Sequence, residues 1–275
     1  QGWFLPRKRT LLAPFGVGTV DQTFLSVLQT RHFFVRLFSL SRKTVIFDEV
    51  HAYDVYMSAL FHRLLAWLRA VGATVIVLSA TLPSRQRQEL VDAYLGAGQG
   101  TVTPEATYPA VVVATDGGVQ AHPLPPGDDR QIQLNWIMDD IEALADYLND
   151  RLRQGGCAAV VCNRVARAQE VYAALKQHKI VADDDLILFH ARMPFGRRAE
   201  VEKAVLDKFG KQAANRPAKA IVVATQVIEQ SLDLDFDLMA SDLAPVDLVL
   251  QRAGRLHRHQ RPARPEPVAA AQLAL

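Results

Sequence analysis

Asp48 and Glu49 are adjacent carboxylates, preceded by the apolar run Val45-Ile46-Phe47 and followed by Val50 and His51. A run of that kind reads as a buried strand of a parallel sheet, with the acids emerging at its carboxyl end, where open α/β sheets hold ligands. Two neighbouring carboxylates repel each other unless a cation sits between them and a substrate. In that reading Asp48 holds Mg²⁺ on nucleotide phosphates and Glu49 positions an attacking water. A strand that ends in a solvated Asp-Glu turn fits the same residues equally well, so the remaining motifs have to discriminate.

Three other stretches carry suitable side chains. Ser79-Ala80-Thr81 closes a second apolar run, Ala73 to Leu78. Its hydroxyls can bond to the acidic pair, or cap the helix that follows. Val223 to Asp233 puts a polar turn after a third apolar run, and the Asp233 carboxylate can hold a ribose or orient an arginine. Gln251 to Arg258 contains Arg255 and Arg258 three residues apart, an arrangement expected on one face of a helical turn, with Gly254 permitting close backbone approach. Two crowded guanidinium groups favour an anion between them, and nucleotide phosphate suits that geometry. The plain alternative is an arginine-rich solvated helix.

The elements that must position these groups alternate. After Gly16-Val17-Gly18, Thr19 or Asp21 can cap a helix over 22–29, and Tyr56 to Val71 has amphipathic spacing and a Gly72 stop. Ser84 is the expected N-cap of a helix reaching Tyr94. Residues 96–131, rich in Gly, Pro, Thr and Asp, break the rhythm and read as one or two short strands, Ala110 to Ala114 one of them, and then an interdomain linker. Helices over 138–153, 164–178 and 195–209 and from Asp247 to Gln251 then alternate with strands at 158–162, 186–189, 220–224 and 236–240. The expected fold class is α/β, with parallel-sheet domains over 1–128 and 129–265 and a tail over 266–275.

Composition is that of a globular chain: 275 residues, 49% hydrophobic and 22% charged, with a net charge of +2. That balance is too near neutral to argue for nucleic acid, but the charge is clustered. Arg252, Arg255, Arg258, Arg261 and Arg264 crowd one stretch, Arg192, Arg197 and Arg198 another, and such clusters can meet phosphate. Cys157 and Cys162 alone cannot build a disulfide framework or a zinc site, which favours buried thiols in a reducing cytoplasm. No apolar run approaches the roughly 18 residues of a membrane span. The first residue is Gln1, and the chain is expected to begin within a longer protein.

Taken together, Asp48-Glu49-Val50-His51, Ser79-Ala80-Thr81 and Gln251 to Arg258 resemble motifs II, III and VI of the superfamily 2 DExH helicases. More narrowly, Phe47 to Asp54, with Val17 to Gln22 before it and Gln226 to Asp233 after it, is similar to the helicase part of the CRISPR-associated helicase-nuclease of type I systems. The likeness runs from about residue 3 to about 265 and implies two RecA-like domains in tandem. It implies ATP and Mg²⁺ as cofactors, Asp48 on the metal, Glu49 activating water, and His51, Ser79 and Thr81 coupling hydrolysis to movement. Arg255 and Arg258 would be arginine fingers with Gln251 beside them, and Asp233 would lie at the nucleotide. Thr19, Asn163, Arg164, His190, Arg192 and Thr225 would line a groove for single-stranded DNA. A CRISPR RNA-guided surveillance complex and a fused or separate HD nuclease domain are the implied partners.

The sequence also departs from that family. It contains no Gly-x-x-x-x-Gly-Lys-[Ser/Thr] stretch and no HD-type metal pairs. The first domain is therefore expected to be truncated on its N-terminal side, and the chain alone to be a motor that cannot run. Another DExH helicase of RNA metabolism or DNA repair, or a non-hydrolysing nucleic-acid-binding protein, would share many of these features.

Overall fold

The run before Asp48 forms strand β1 (Thr44–Phe47), paired in parallel with β2 (Thr74–Val77), Thr44 opposite Thr74 and Phe47 opposite Val77. The computed structural model describes residues 9–28, 30–50, 53–79, 82–102, 109–127, 130–212, 216–229 and 232–275. The chain divides into two compact units, 1–128 and 129–275.

In the first unit, helices α1 (Val20–Val27), α2 (Phe33–Leu40), α3 (Val55–Ala70) and α4 (Ser84–Leu95) accompany the two strands. Phe61, Leu64, Leu65 and Leu68 of α3 recur at helical spacing and are all buried with Phe24 and Phe47. Asp54 caps α3 by accepting the Met57 amide at 2.8 Å, and Gly72, at φ +69°, ends it. Leu64 is fully enclosed, so Leu64→Ala is expected to cost about 2–5 kcal/mol by urea denaturation.

Three expectations need correction here. Val45 to Phe47 are not all buried: Phe47 is, while Ile46 is 60% exposed. With a period of two, Val45 and Phe47 pack into the α1–α3 cluster, and Ile46 and Ile76, 60% and 40% exposed, fall on the opposite face. Ser84 is the first helical residue of α4 rather than its cap, because Pro83 holds that place. Thr19 is the N-cap of α1 but makes no side-chain capping bond. The stretch expected to hold one or two short strands before a linker holds two, paired as a hairpin: β3 (Ala110–Thr115) and β4 (Gly118–Pro123), joined through Asp116 and Gly117, with Gly118 at φ +118°.

The second unit is a six-stranded parallel sheet in the order β5-β10-β9-β6-β8-β7. Its strands are β5 (Ile132–Asn135), β6 (Gly156–Val161), β7 (Leu186–Phe189), β8 (Lys219–Ala224), β9 (Leu238–Ser241) and β10 (Ala271–Ala274). The helices are α5 (Ile141–Arg151), α6 (Val165–His178), α7 (Phe195–Phe209) and α8 (Val246–Ala253). One core joins Phe189, Val205, Phe209 and Phe236, and another joins Leu148, Leu152, Val171 and Leu175. Both faces being covered, every residue of β6 is buried, as befits an unbroken apolar strand.

Residues 266–275 are not a tail. After a short 3-10 turn (Glu266–Val268), β10 inserts between β5 and β9 with all four residues buried. Leu273 joins one core and Ala274 the other, while Gln272 Nε2 donates to the Pro267 carbonyl at 2.8 Å. Cys157 and Cys162 are buried free thiols, as expected, and burial pushes both up to about 12. Among the described residues, no helix is long and apolar enough to cross a membrane.

Candidate functional site

Asp48 and Glu49 stand exposed at the carboxyl end of β1. Asp48 Oδ1 accepts the Glu49 amide at 3.0 Å, and Glu49 occupies the left-handed region at φ +57°. A non-glycine residue held there costs about 1–3 kcal/mol, a strain found where a side chain has to be aimed. The Leu78 amide bonds to Phe47 O at 2.8 Å and the Val50 amide to Leu78 O at 3.4 Å. Those bonds tie the acidic turn to the end of β2 and so to half-buried Ser79. His51 and Thr81 lie outside the described residues.

Asp48 suits a magnesium ion. No group of three or more metal-ligating side chains occurs among the described residues. Mg²⁺ commonly takes one or two carboxylates and completes its shell with water and substrate phosphate, and one exposed carboxylate at a sheet edge meets that need.

In the second unit, the carboxyl ends of the neighbouring strands β6, β8 and β7 bring Asn163 and Arg164, Thr225, and His190 and Arg192 to one edge. They are not alike. Arg164 and Arg192 are exposed, while His190 and Thr225 are buried, and the Thr225 amide bonds to Phe189 O at 3.2 Å. Asn163 is a junction: its amide donates to Asp242 Oδ2 (2.8 Å) and its Nδ2 to Leu243 O (2.7 Å). Its own oxygens accept from Gln226 and Arg252. Beside it opens a cavity of about 520 Å³, lined by Asn163, Arg164, Arg167, Ser241 and Asp242 among others. Thr19 belongs to the first unit and is exposed there.

Arg255 and Arg258 do not share a helical face. Helix α8 ends at Ala253, because the Phe236 amide bonds to Arg255 O and the His257 amide to Phe236 O, each at 2.9 Å. Those bonds turn the chain back onto the sheet with His257 at φ +45°. Arg255 Nη2 donates to Glu229 O at 2.6 Å, and Arg258 Nε pairs with Asp233 Oδ1 at 2.7 Å. The Arg258 and Asp233 side chains are 40% and 49% exposed, so their attraction is worth about 0–1 kcal/mol. Gln251 is half-buried on the last turn of α8.

Other arginines in the cluster serve the fold rather than an anion. Arg252 is wholly buried, pairs with Glu229 Oε1 at 2.7 Å, and donates to Ser241, Asp242 O and Asn163 Oδ1. Neither Arg252 nor Glu229 stands out as a site residue in the sequence, although both lie within motifs singled out there. Arg261, Arg264 and Arg216 surround the buried carboxylates Asp235 and Asp237. Burial alone would raise the Asp235 carboxyl, but bonding to Arg261 and Arg264 outweighs it and holds the group below its ordinary range. Burial, and then the Arg264 charge, depress His257 from its usual 6.5.

Both shifts make the fold acid-sensitive. In each case the unfolded chain binds a proton more readily than the folded one, so stability falls as pH falls. The His257 contribution fades from about pH 6.5 downward, and that of Asp235 below about pH 4, through their depressed folded values. Urea midpoints measured from pH 7 to pH 3.5 are expected to decline in that order, and a flat profile would contradict the assignment.

A family model described as CRISPR-associated nuclease/helicase Cas3, C-terminal, matches residues 154–261. The chain is 43% identical to the CRISPR-associated endonuclease/helicase Cas3 of Thermus thermophilus, covering 100% of this chain and 34% of that protein. A solved structure of T. fusca Cas3-ATP is 40% identical with a TM-score of 0.89, covering 99% of this chain and 33% of that one. A chain in a structure described as a CRISPR RNA-guided surveillance complex, pre-nicking, is 39% identical with a TM-score of 0.84, covering 98% and 35%. The chain thus spans about a third of the length of the relatives it matches, and its two motif-bearing units fall inside the matched region.

Proposed function

The chain belongs to the Cas3 nuclease/helicase family as a helicase module, and from that premise we propose that it is part of an ATP-driven translocase on single-stranded DNA. The observation that carries the reading is the Asp48-Glu49 turn, two exposed carboxylates at the carboxyl end of a parallel strand, with Glu49 held in the strained left-handed region. Asp48 would hold Mg²⁺, which when bound would offset the charge of nucleotide phosphates. Glu49 orients a water toward the terminal phosphoryl group and accepts its proton. Ser79 sits where a change at the acidic turn passes into β2, and His51 and Thr81 belong to the same coupling. Arg255 and Arg258 stabilise the charge that builds on the transferring phosphoryl group, with Gln251 beside them and Asp233 orienting Arg258 until nucleotide replaces it. Arg164, Arg192 and Thr19 meet the phosphates of the strand, and Asn163, His190 and Thr225 set the loops that present them.

The partners in this reading are a CRISPR RNA-guided surveillance complex that delivers the DNA and an HD nuclease domain, fused or separate, that cuts it, in a reducing cytoplasm; relatives named as nuclease/helicase and a relative in such a complex support it. The 275 residues hold no Gly-x-x-x-x-Gly-Lys-[Ser/Thr] stretch, so this chain by itself is expected to bind ATP only in the millimolar range. Isothermal titration with ATP and Mg²⁺ tests this, and micromolar affinity would contradict it. Filter binding with matched DNA and RNA oligonucleotides tests the choice of strand. Preference for RNA would transfer the chain to the wider DExH helicases.

A further inference from the structure

Phe195 is the first residue of α7, and its side chain is 90% exposed. An aromatic ring left in water next to the strand-binding edge is not explained by the core, which α7 joins through Val201, Val205 and Phe209. Its neighbours supply the chemistry of a ligand. Arg192 and Arg198 are exposed, and neither makes an ion pair among the described residues. Arg197 is engaged with Glu200 at 3.2 Å. A methyl group built on Gly196 would meet no heavy atom within 4 Å, so the backbone beside the ring is open to approach.

A further observation lies at the base of the same loop. His190 ends β7 and is only 6% exposed, and its Nδ1 has no hydrogen-bond partner among the described residues. A buried ring nitrogen without a partner costs free energy unless something completes it. His190 O accepts the Met193 amide at 3.4 Å, so the turn that carries Arg192 toward Phe195 starts at this residue.

We infer that Phe195 is a base-stacking residue for the single strand, with Arg192 and Arg198 holding the phosphates on either side of the stacked nucleotide. The inference rests on the strand-binding reading above and names a contact within it. Exposed aromatic faces interleaved with unpaired cations are how proteins hold single strands without reading sequence, since every base offers a π-face. The strand order supports a continuous track. Arg164 follows β6, Thr225 follows β8 and Arg192 follows β7, and adjacent strands lie about 4.8 Å apart. Phe195 stands at the β7 end of that line, where a base can leave the track and lie on a ring.

The test uses the 275-residue chain with a single-stranded DNA oligonucleotide carrying 2-aminopurine, whose fluorescence is quenched on stacking. The wild-type chain is expected to quench it. Phe195→Ala is expected to abolish the quenching and weaken binding roughly 5- to 100-fold, the loss of one base–aromatic stack. Phe195→Trp is expected to restore both, and Phe195→Leu, equally apolar but without a ring, to restore neither. Arg198→Ala is expected to keep the quenching while lowering the slope of log K against log salt by about 0.7, one phosphate contact on a single strand. If Phe195→Ala binds and quenches like wild type, the stacking role is wrong and strand binding stands. If the wild-type chain binds no single strand at low salt, the strand-binding reading falls and the stacking role with it.

Discussion

Arg252→Ala is expected to destabilise the second unit by about 3–5 kcal/mol, the cost of removing one partner from a buried ion pair. Glu229 is only 6% exposed, and without Arg252 its carboxylate would be left charged with its partner gone. The guanidinium also serves Ser241, the Asp242 carbonyl and Asn163, so three further polar groups lose a donor together. Arg252→Lys keeps the charge but cannot present the same planar fork, and is expected to recover only part of the loss. Replacing both partners with apolar residues, Arg252→Met with Glu229→Leu, is expected to lie closer to wild type than Arg252→Ala does, because no buried charge remains. Urea denaturation followed by circular dichroism measures all three. A loss below about 1 kcal/mol for Arg252→Ala would show that the pair is not what joins the turn after β8 to α8.

That expectation marks the limit of what the sequence makes legible. Helix α7 begins and ends at the residues its pattern indicates, Phe195 and Phe209, because its apolar positions recur without interruption. The motif strands are equally plain, since β6 and β8 are unbroken apolar runs between polar turns. By contrast, β10 has the sequence Ala-Gln-Leu-Ala and β5 Ile-Gln-Leu-Asn, four residues each with hardly any β-branched side chains. They are strands because the sheet has room beside β9, a tertiary reason that local pattern does not carry.

The arginines fail for a related cause. A run of arginine looks like an anion site, but each partner lies 20 or more residues away: Glu229 for Arg252, Asp235 for Arg261 and Arg264. The acids of Asp233-Leu234-Asp235-Phe236-Asp237 meet those guanidinium groups only once the chain folds back past Gly254. Only its exposure separates Arg258, paired with half-exposed Asp233, from the arginines committed to buried carboxylates.

In a polypeptide that carries this chain together with a phosphate-binding loop, Glu49→Gln is expected to slow strand-stimulated ATP hydrolysis by about 10²–10⁴-fold. The amide fills the same volume and can still hydrogen-bond, but it cannot take a proton from water, so ATP and single-strand affinities are expected to stay near wild type. Arg258→Ala is expected to cost about 10³ in the same rate, because it removes positive charge where negative charge accumulates. Arg258 differs from Arg252 in a way that makes this test clean. Its ion-pair partner is the half-exposed Asp233, so its loss should shift the urea midpoint little while the rate collapses. A variant that lost stability and rate together would point to a structural role instead. Full activity in both Glu49→Gln and Arg258→Ala would mean that the acidic turn is a solvated strand end, as four residues alone allow. Phosphate release assayed with and without single-stranded DNA separates these outcomes, since Glu49→Gln should lose the stimulated rate and still hold the strand.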